Sequence, residues 1–249
     1  MEWREEAIVL GVKRLGETSV IAEIMTRERG RVLGVVRGGR SRSQRAVLQP
    51  GNSIDVVWRA RLDEHLGALT VEPVTLRAAA LMEMPTALHG IQLLAAHMRL
   101  LPERDAHPRL YDDLAAFLEA PDDAEVAGLR VLRFEVALLE DLGFGLDLEA
   151  CALTGLRSGL AFVSPRTGRA VTAVAGEPWK DKLLPLPAIL TPDADQDTVE
   201  PAGLETGFAL TRHFLDRNLW TPRGMDEPGA RSAFLAALVR RMAPLETTS

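Results

Sequence analysis

Along roughly the first seventy residues, apolar and polar positions alternate in short runs. Residues 7–10, 19–25, 31–37, 53–59 and 66–71 are rich in valine, isoleucine and leucine. That period and composition predict five half-buried strands. Turn-forming stretches separate most of them: Leu15-Gly16-Glu17, Arg29-Gly30, Gly38-Gly39 and Pro50-Gly51-Asn52. Five short strands in about 70 residues cannot bury two faces as a flat sheet, so closure into a small barrel of the oligonucleotide-binding (OB) type is expected.

Beyond about Leu76 the apolar spacing becomes helical. Leu81, Met84, Leu88, Ile91, Leu94, Ala95 and Met98 form one stripe over residues 80–101, with a bend expected at Pro85. His107-Pro108 opens a second helix with Leu110, Leu114, Phe117 and Leu118 inward. A third runs from Asp122, read as its cap with Glu125 three residues on, to a stop at Gly143. Residues 204–219 and 232–242 supply two more. Between these groups, CALTGLRSGLAFVSPRTGRAVTAVAG holds two short apolar runs, 160–163 and 170–174, around the turn Ser164-Pro165-Arg166-Thr167-Gly168. The expected class is α+β: a five-stranded OB-like barrel over residues 1–76, then an α-helical domain over 77–249 with a β-hairpin inserted at about 151–176.

Charge sharpens this picture. Up to Ala80 there are thirteen basic and ten acidic residues, a net of +3, which leaves −9 on the remainder of a chain whose formal charge is −6. Between Arg27 and Arg45, the seven arginines Arg27, Arg29, Arg31, Arg37, Arg40, Arg42 and Arg45 face only Glu28. A cluster of one sign on a barrel attracts polyanions even when the whole protein is acidic. With three lysines against 26 arginines in the chain, the clustering carries the signal and the choice of arginine does not.

Other chemistry is excluded more than suggested. No apolar run approaches the roughly 20 residues needed to span a bilayer, and the start MEWREEAIVL is acidic where a signal peptide is basic, so a cytoplasmic chain without membrane contact is expected. Cys151 is the single cysteine, which rules out an internal disulfide or a multi-thiolate metal site within one chain. Neither an HExxH helix nor a GxxxxGK[ST] phosphate cradle occurs, and no histidine stands in a triad pattern with Cys151. No enzyme activity, cofactor or metal is expected.

The stretches AIVLGVKRLGETS and TRERGRVLGVVRGGRSR, then RFEVALLEDLGFGLDLEACALTG, then FVSPRTGRAVTAVAGEPWKDKLLPLP resemble the bacterial RecO family of recombination mediators over most of the chain. The resemblance implies a protein without catalytic turnover. It implies binding to single- and double-stranded DNA, annealing of complementary strands, partnership with RecR, and help in loading RecA onto DNA coated by single-strand-binding protein, whose acidic-apolar tail such a mediator contacts. Many relatives carry a CxxC…CxxC zinc module where this hairpin lies. Here Cys151 alone matches, with Thr154, Val171 and Val174 at the other positions, so apolar packing is expected to hold the segment.

Candidate DNA contacts are Arg37, Arg40, Arg42 and Arg45 on a loop kept flexible by Gly38 and Gly39, extended by Lys13, Arg14, Arg27, Arg29, Arg31, Arg59 and Arg61. Trp58 reads as core, with base stacking as the alternative. Arg130 and Arg133 flank Val131, Leu132 and Phe134, a basic rim beside an apolar surface suited to a peptide ending in a hydrophobic residue and a carboxylate. Ion pairing on the bundle surface is the other reading of that pair. Two further function classes stay open: an OB-fold RNA-binding module, and a structural adaptor for acidic protein partners.

Overall fold

The alternation read in the sequence becomes alternate burial. In the computed structural model, which describes residues 1–62, 65–121, 123–192 and 200–242, β2 (Ser19–Thr26) and β3 (Gly30–Val36) bury every second residue along most of their length. With β1 (Glu2–Leu15), β4 (Ser53–Arg59) and β5 (Ala68–Thr75) they close a barrel of order β1-β2-β3-β5-β4, and β4 returns to β1. Its interior is filled by Val9, Val20, Ala22, Ile24, Val32, Ile54, Val56, Leu69 and Val71 around Trp58. This is the five-stranded OB-like barrel expected, and Trp58 is core: it is buried, donates Nε1–H to the carbonyl of Leu66 and stacks on Trp3.

Two strands differ in extent from the expectation. β1 runs well past residues 7–10 because each half serves a different neighbour: Glu2 to Ile8 pair with β4, Ala7 to Leu15 pair with β2, and a bulge between Val9 and Gly11 bends the strand between them. Its polar ends carry no apolar alternation, which hid them. β5 starts two residues late and continues to Thr75. The stretch expected to be a flexible loop also differs. Ser41 accepts a hydrogen bond from Gln44 N and caps a short helix, α1 (Arg42–Val47), whose Val47 and following Leu48 plug the barrel.

The chain divides into two compact units. The first is Met1–Asp122 with Ala230–Phe234, and it holds the barrel with α2 (Ala78–Glu83), α3 (Pro85–Met98) and α4 (Pro108–Glu119). Residue 76 thus marks where strand gives way to helix, while the packing unit continues to residue 122. Pro85 does more than bend a helix; it begins a new one. Close approach binds helices to barrel: at Gly51 (φ +88°) a Cβ would lie 2.5 Å from Leu81 Cδ1, and at Gly30 (φ +66°) 1.7 Å from the carbonyl oxygen of Asp105. Buried Asn52 completes the joint. Its amide donates to the carbonyls of Ala46 and Val47 at the end of α1 and accepts from the N–H groups of Arg77 and Ala78 at the start of α2.

The second unit is Asp123–Gly229 with Leu235–Ser249. Its centre is α5 (Ala124–Asp141), capped by Asp123, whose carboxylate accepts from Glu125 N and Val126 N. The cap therefore falls one residue after Asp122, which lies outside the described residues. Gly143, at φ +83°, follows the helix end as expected. α5 packs on α7 (Pro201–Leu215): Gly207 lets Leu132 in, and the Thr211 hydroxyl donates to the buried carboxyl of Glu135. α7 passes into a π-helical turn at Asp216–Trp220. The hairpin is present as β6 (Leu160–Val163) and β7 (Ala170–Thr172), with Gly168 at φ +70° in its turn. The second strand ends two residues early because Thr172 caps the short α6 (Ala173–Gly176). A third strand, β8 (Leu184–Pro185), adds to β6. α8 (Gly229–Met242) contributes to both units.

Candidate nucleic-acid interface

Strand direction divides the arginine cluster. Arg31 lies at the start of β3 and Arg37 just past its end, and six residues of extended chain span roughly 20 Å. Arg27, Arg29 and Arg31 therefore gather at one end of the barrel, and Arg37, Arg40, Arg42 and Arg45 at the other.

The first group is neutralised. Arg27 makes a two-pronged contact with Asp112, Nε to Oδ1 at 2.9 Å and Nη2 to Oδ2 at 3.0 Å, and also reaches Glu28. The guanidinium holds the Asp112 carboxyl below its ordinary range through that hydrogen bond and charge. Arg29 lies 3.9 Å from Glu5 and over the Trp3 ring. Arg31 is half-buried, paired with Glu23 at 3.1 Å and donating to the carbonyl of Leu101, while Arg99 takes the other oxygen of Glu23. These three do not extend the patch. Arg27 and Arg31 hold α4 and the loop before it against the strands, and Arg29 lies on β1.

The other end has no such pairing among the described residues. Arg40 donates to the carbonyls of Gly16 and Glu17, and its own N–H to Thr18, which pins the 37–41 turn on the β1–β2 turn. Arg37, Arg42 and Arg45 are exposed, as are Lys13 and Arg14 on the arm of β1, and none of these five meets a carboxylate among the described residues. Pairing in register shows how the arm joins the wall. Lys13, Ile21, Val35, Ala68 and Arg59 form one row around the outside of the barrel, since directly paired residues share a face. Arg59 is exposed in that row but takes both oxygens of Glu2, at 2.8 and 2.9 Å. Arg61 is exposed beyond the end of β4. A basic surface thus runs from the β1–β2 arm across the 37–45 segment, with Glu17 as the acid of its turn.

The comparisons with known proteins decide the family. Residues 1–77 match the family model described as recombination protein O N terminal, and residues 87–224 the one described as recombination protein O C terminal. Proteins called DNA repair protein RecO align along nearly the whole chain. The one from Chelativorans sp. (strain BNC1) is 56% identical over 242 residues, 97% of each chain. The one from Mesorhizobium japonicum is 54% identical over 238 residues, 96% of this chain and 94% of the relative. The chain belongs to the RecO family.

A RecO-family chain has its role in DNA repair, which is the context for the remaining sites. Around Cys151, where the zinc module of many relatives was expected to be replaced by packing, the backbone ties the segment together. Cys151 N donates to Leu156 O, Ala152 N to Ala170 O, and Ala170 N to Asp147 O, while Arg169 pairs with Asp147. Cys151 is buried, and Thr172 N donates to its Sγ at 3.3 Å. Burial pushes this thiol up, but hydrogen bonds from the Thr154 side chain and the N–H groups of Thr172, Leu153 and Thr154 outweigh it and bring the pKa down to about 6. Val171 is buried and Val174 fully outside. No helix among the described residues is long and apolar enough to cross a membrane.

The basic rim on α5 is changed by the structure. Val131, Leu132 and Phe134 are all buried in the bundle, so they do not floor a surface pocket. On a helix with an apolar face this wide, the residues beside Arg130 and Arg133 are taken up by packing. Both arginines are half-buried, and Nη1 of Arg130 is buried without a hydrogen-bond partner. What sequence reasoning missed is the polar joinery of Asn52, Arg77 and Arg99, whose partners lie far along the chain and leave no sign in the linear pattern.

Proposed function

We propose that this RecO-family chain is a non-enzymatic mediator whose barrel binds single- and double-stranded DNA through the end carrying Lys13, Arg14, Arg37, Arg40, Arg42 and Arg45. The observation that supports it is the partition of charge: one end of the barrel sets its arginines against carboxylates, and the other presents cations that meet none among the described residues. Phosphates supply the missing partners, and their counterions are released on binding. Neutralising two backbones at one surface lowers their repulsion, after which base pairing supplies specificity and complementary strands anneal. Partnership with RecR and help in loading RecA onto coated DNA follow from the family, in a nucleoid setting.

For the acidic-apolar tail of single-strand-binding protein, the supporting feature is Arg130, a half-buried guanidinium on α5 that meets no carboxylate among the described residues. The test is strand annealing on DNA coated by single-strand-binding protein, comparing the wild type with a variant in which Arg37, Arg40, Arg42 and Arg45 are alanine. The variant should lose at least tenfold in rate while keeping its fold by circular dichroism. An unchanged rate removes this surface from the function.

A further inference from the structure

The outer wall of the barrel carries a second charge pattern, opposite in sign to the basic end. Glu6, Asp55 and Glu72 stand directly opposite one another across β1, β4 and β5, so three carboxylates share one row of one face. Like charges placed opposite each other destabilise a sheet. Arg4 stands beside them: its Nε donates to Asp55 at 2.7 Å, and its charge also reaches Glu72. Glu6 forms no ion pair among the described residues, and neither does Glu83 at the end of α2. Along β5 the acidic row lies four residues from Ala68, where the basic row passes, a separation of roughly 13 Å in extended chain.

Next to this row, apolar side chains face solvent. β5 buries Leu69 and Val71 but nothing from Glu72 to Thr75. Val74 is the extra residue of a bulge, since Pro73 pairs with Ile54 and Thr75 with Ser53. Leu76 follows, and α2 then turns Leu81 inward and Met82 and Glu83 outward. Val74, Leu76 and Met82 are each more than half exposed. Apolar residues scattered singly over a surface need no explanation. Three on one short stretch, flanked by Glu72 and Glu83, make the kind of rimmed patch that marks a protein interaction site.

We propose that this face docks a basic segment of a partner protein, one that sets arginine or lysine side chains beside aliphatic ones. The carboxylates choose the sign. They repel the phosphates of nucleic acids and of anionic lipids, whereas a cation placed between Glu6 and Glu72 relieves the repulsion within the sheet. Val74, Leu76 and Met82 supply the apolar area removed from water, and the acidic rim fixes orientation and partner choice.

The test is binding of the full chain to a fluorescent amphipathic peptide built of leucine and arginine, followed by anisotropy. Glu6→Gln with Glu72→Gln and Glu83→Gln should weaken binding about tenfold, and so should Leu76→Ser with Met82→Ser, which leaves the charge unchanged. Removing three exposed acids of the second unit instead, by Glu149→Gln, Asp181→Asn and Glu205→Gln, should change it by less than about twofold. Affinity for single-stranded DNA should not fall in any of these variants, which separates this face from the basic end. Equal weakening by the two sets of acid substitutions means general attraction to an acidic protein and overturns the site. A peptide affinity indifferent to Leu76 and Met82 overturns it too. Self-association of the wild type in sedimentation, abolished by Leu76→Ser with Met82→Ser, assigns the face to a second copy and likewise overturns the proposal.

Discussion

Single side chains in this molecule do work that their residue type does not announce. Asn52 is the clearest case, with its amide joining the end of α1 to the start of α2. Asn52→Leu keeps the volume but strands two N–H groups and two carbonyls, and should cost about 2–4 kcal/mol in urea unfolding. Cys151 gives a second prediction. Its pKa of about 6 lies below the ordinary thiol value of about 9. An acid depressed in the folded state adds stability that is complete above its unfolded pKa and is lost as pH falls through the folded one. The wild type should therefore gain melting temperature over Cys151→Ala as pH rises from about 6 to about 9, and the ultraviolet absorbance of the thiolate should appear with a midpoint near 6. A midpoint near 9 would show that the surrounding N–H groups do not stabilise the anion.

At the level of elements, β3 separates two chemistries by its own length. Changing Arg27 and Arg29 to alanine removes exposed ion pairs, each worth little, and should leave the salt dependence of single-strand binding within about 0.7 of the wild-type slope, one phosphate's worth. Changing Arg37, Arg42 and Arg45 should lower that slope by about 2, three phosphates at about 0.7 each. Equal effects at both ends would contradict the partition. Ser41→Ala is a gentler probe of the same element. Loss of the cap costs about 1 kcal/mol and loosens α1, so affinity for DNA should fall although no charge has been removed.

For the molecule as a whole, a formal charge of −6 is compatible with an anionic ligand because the cations are gathered at one end of a barrel. The second unit offers a separate handle. Arg130→Ala should leave annealing of bare strands unchanged and slow annealing of coated strands at least fivefold, since the residue lies on α5 and not on the barrel. Slowing of both reactions alike would place Arg130 in general folding or DNA binding and remove the tail site.

Much of this was legible in the chain before folding. The period-2 runs, the turn glycines and the change to helical spacing determine five strands followed by helices, because local propensity and burial pattern act over a few residues and leave their mark in order along the sequence. The crowding of seven arginines was equally plain. Which of them remain available was decided only in three dimensions, since Asp112, Glu5 and Glu23 reach Arg27, Arg29 and Arg31 across strands or from another element. For the same reason the apolar residues beside Arg130 became core. Contacts between distant segments depend on how elements pack, and a linear pattern records each element's own faces but not the neighbour that covers them.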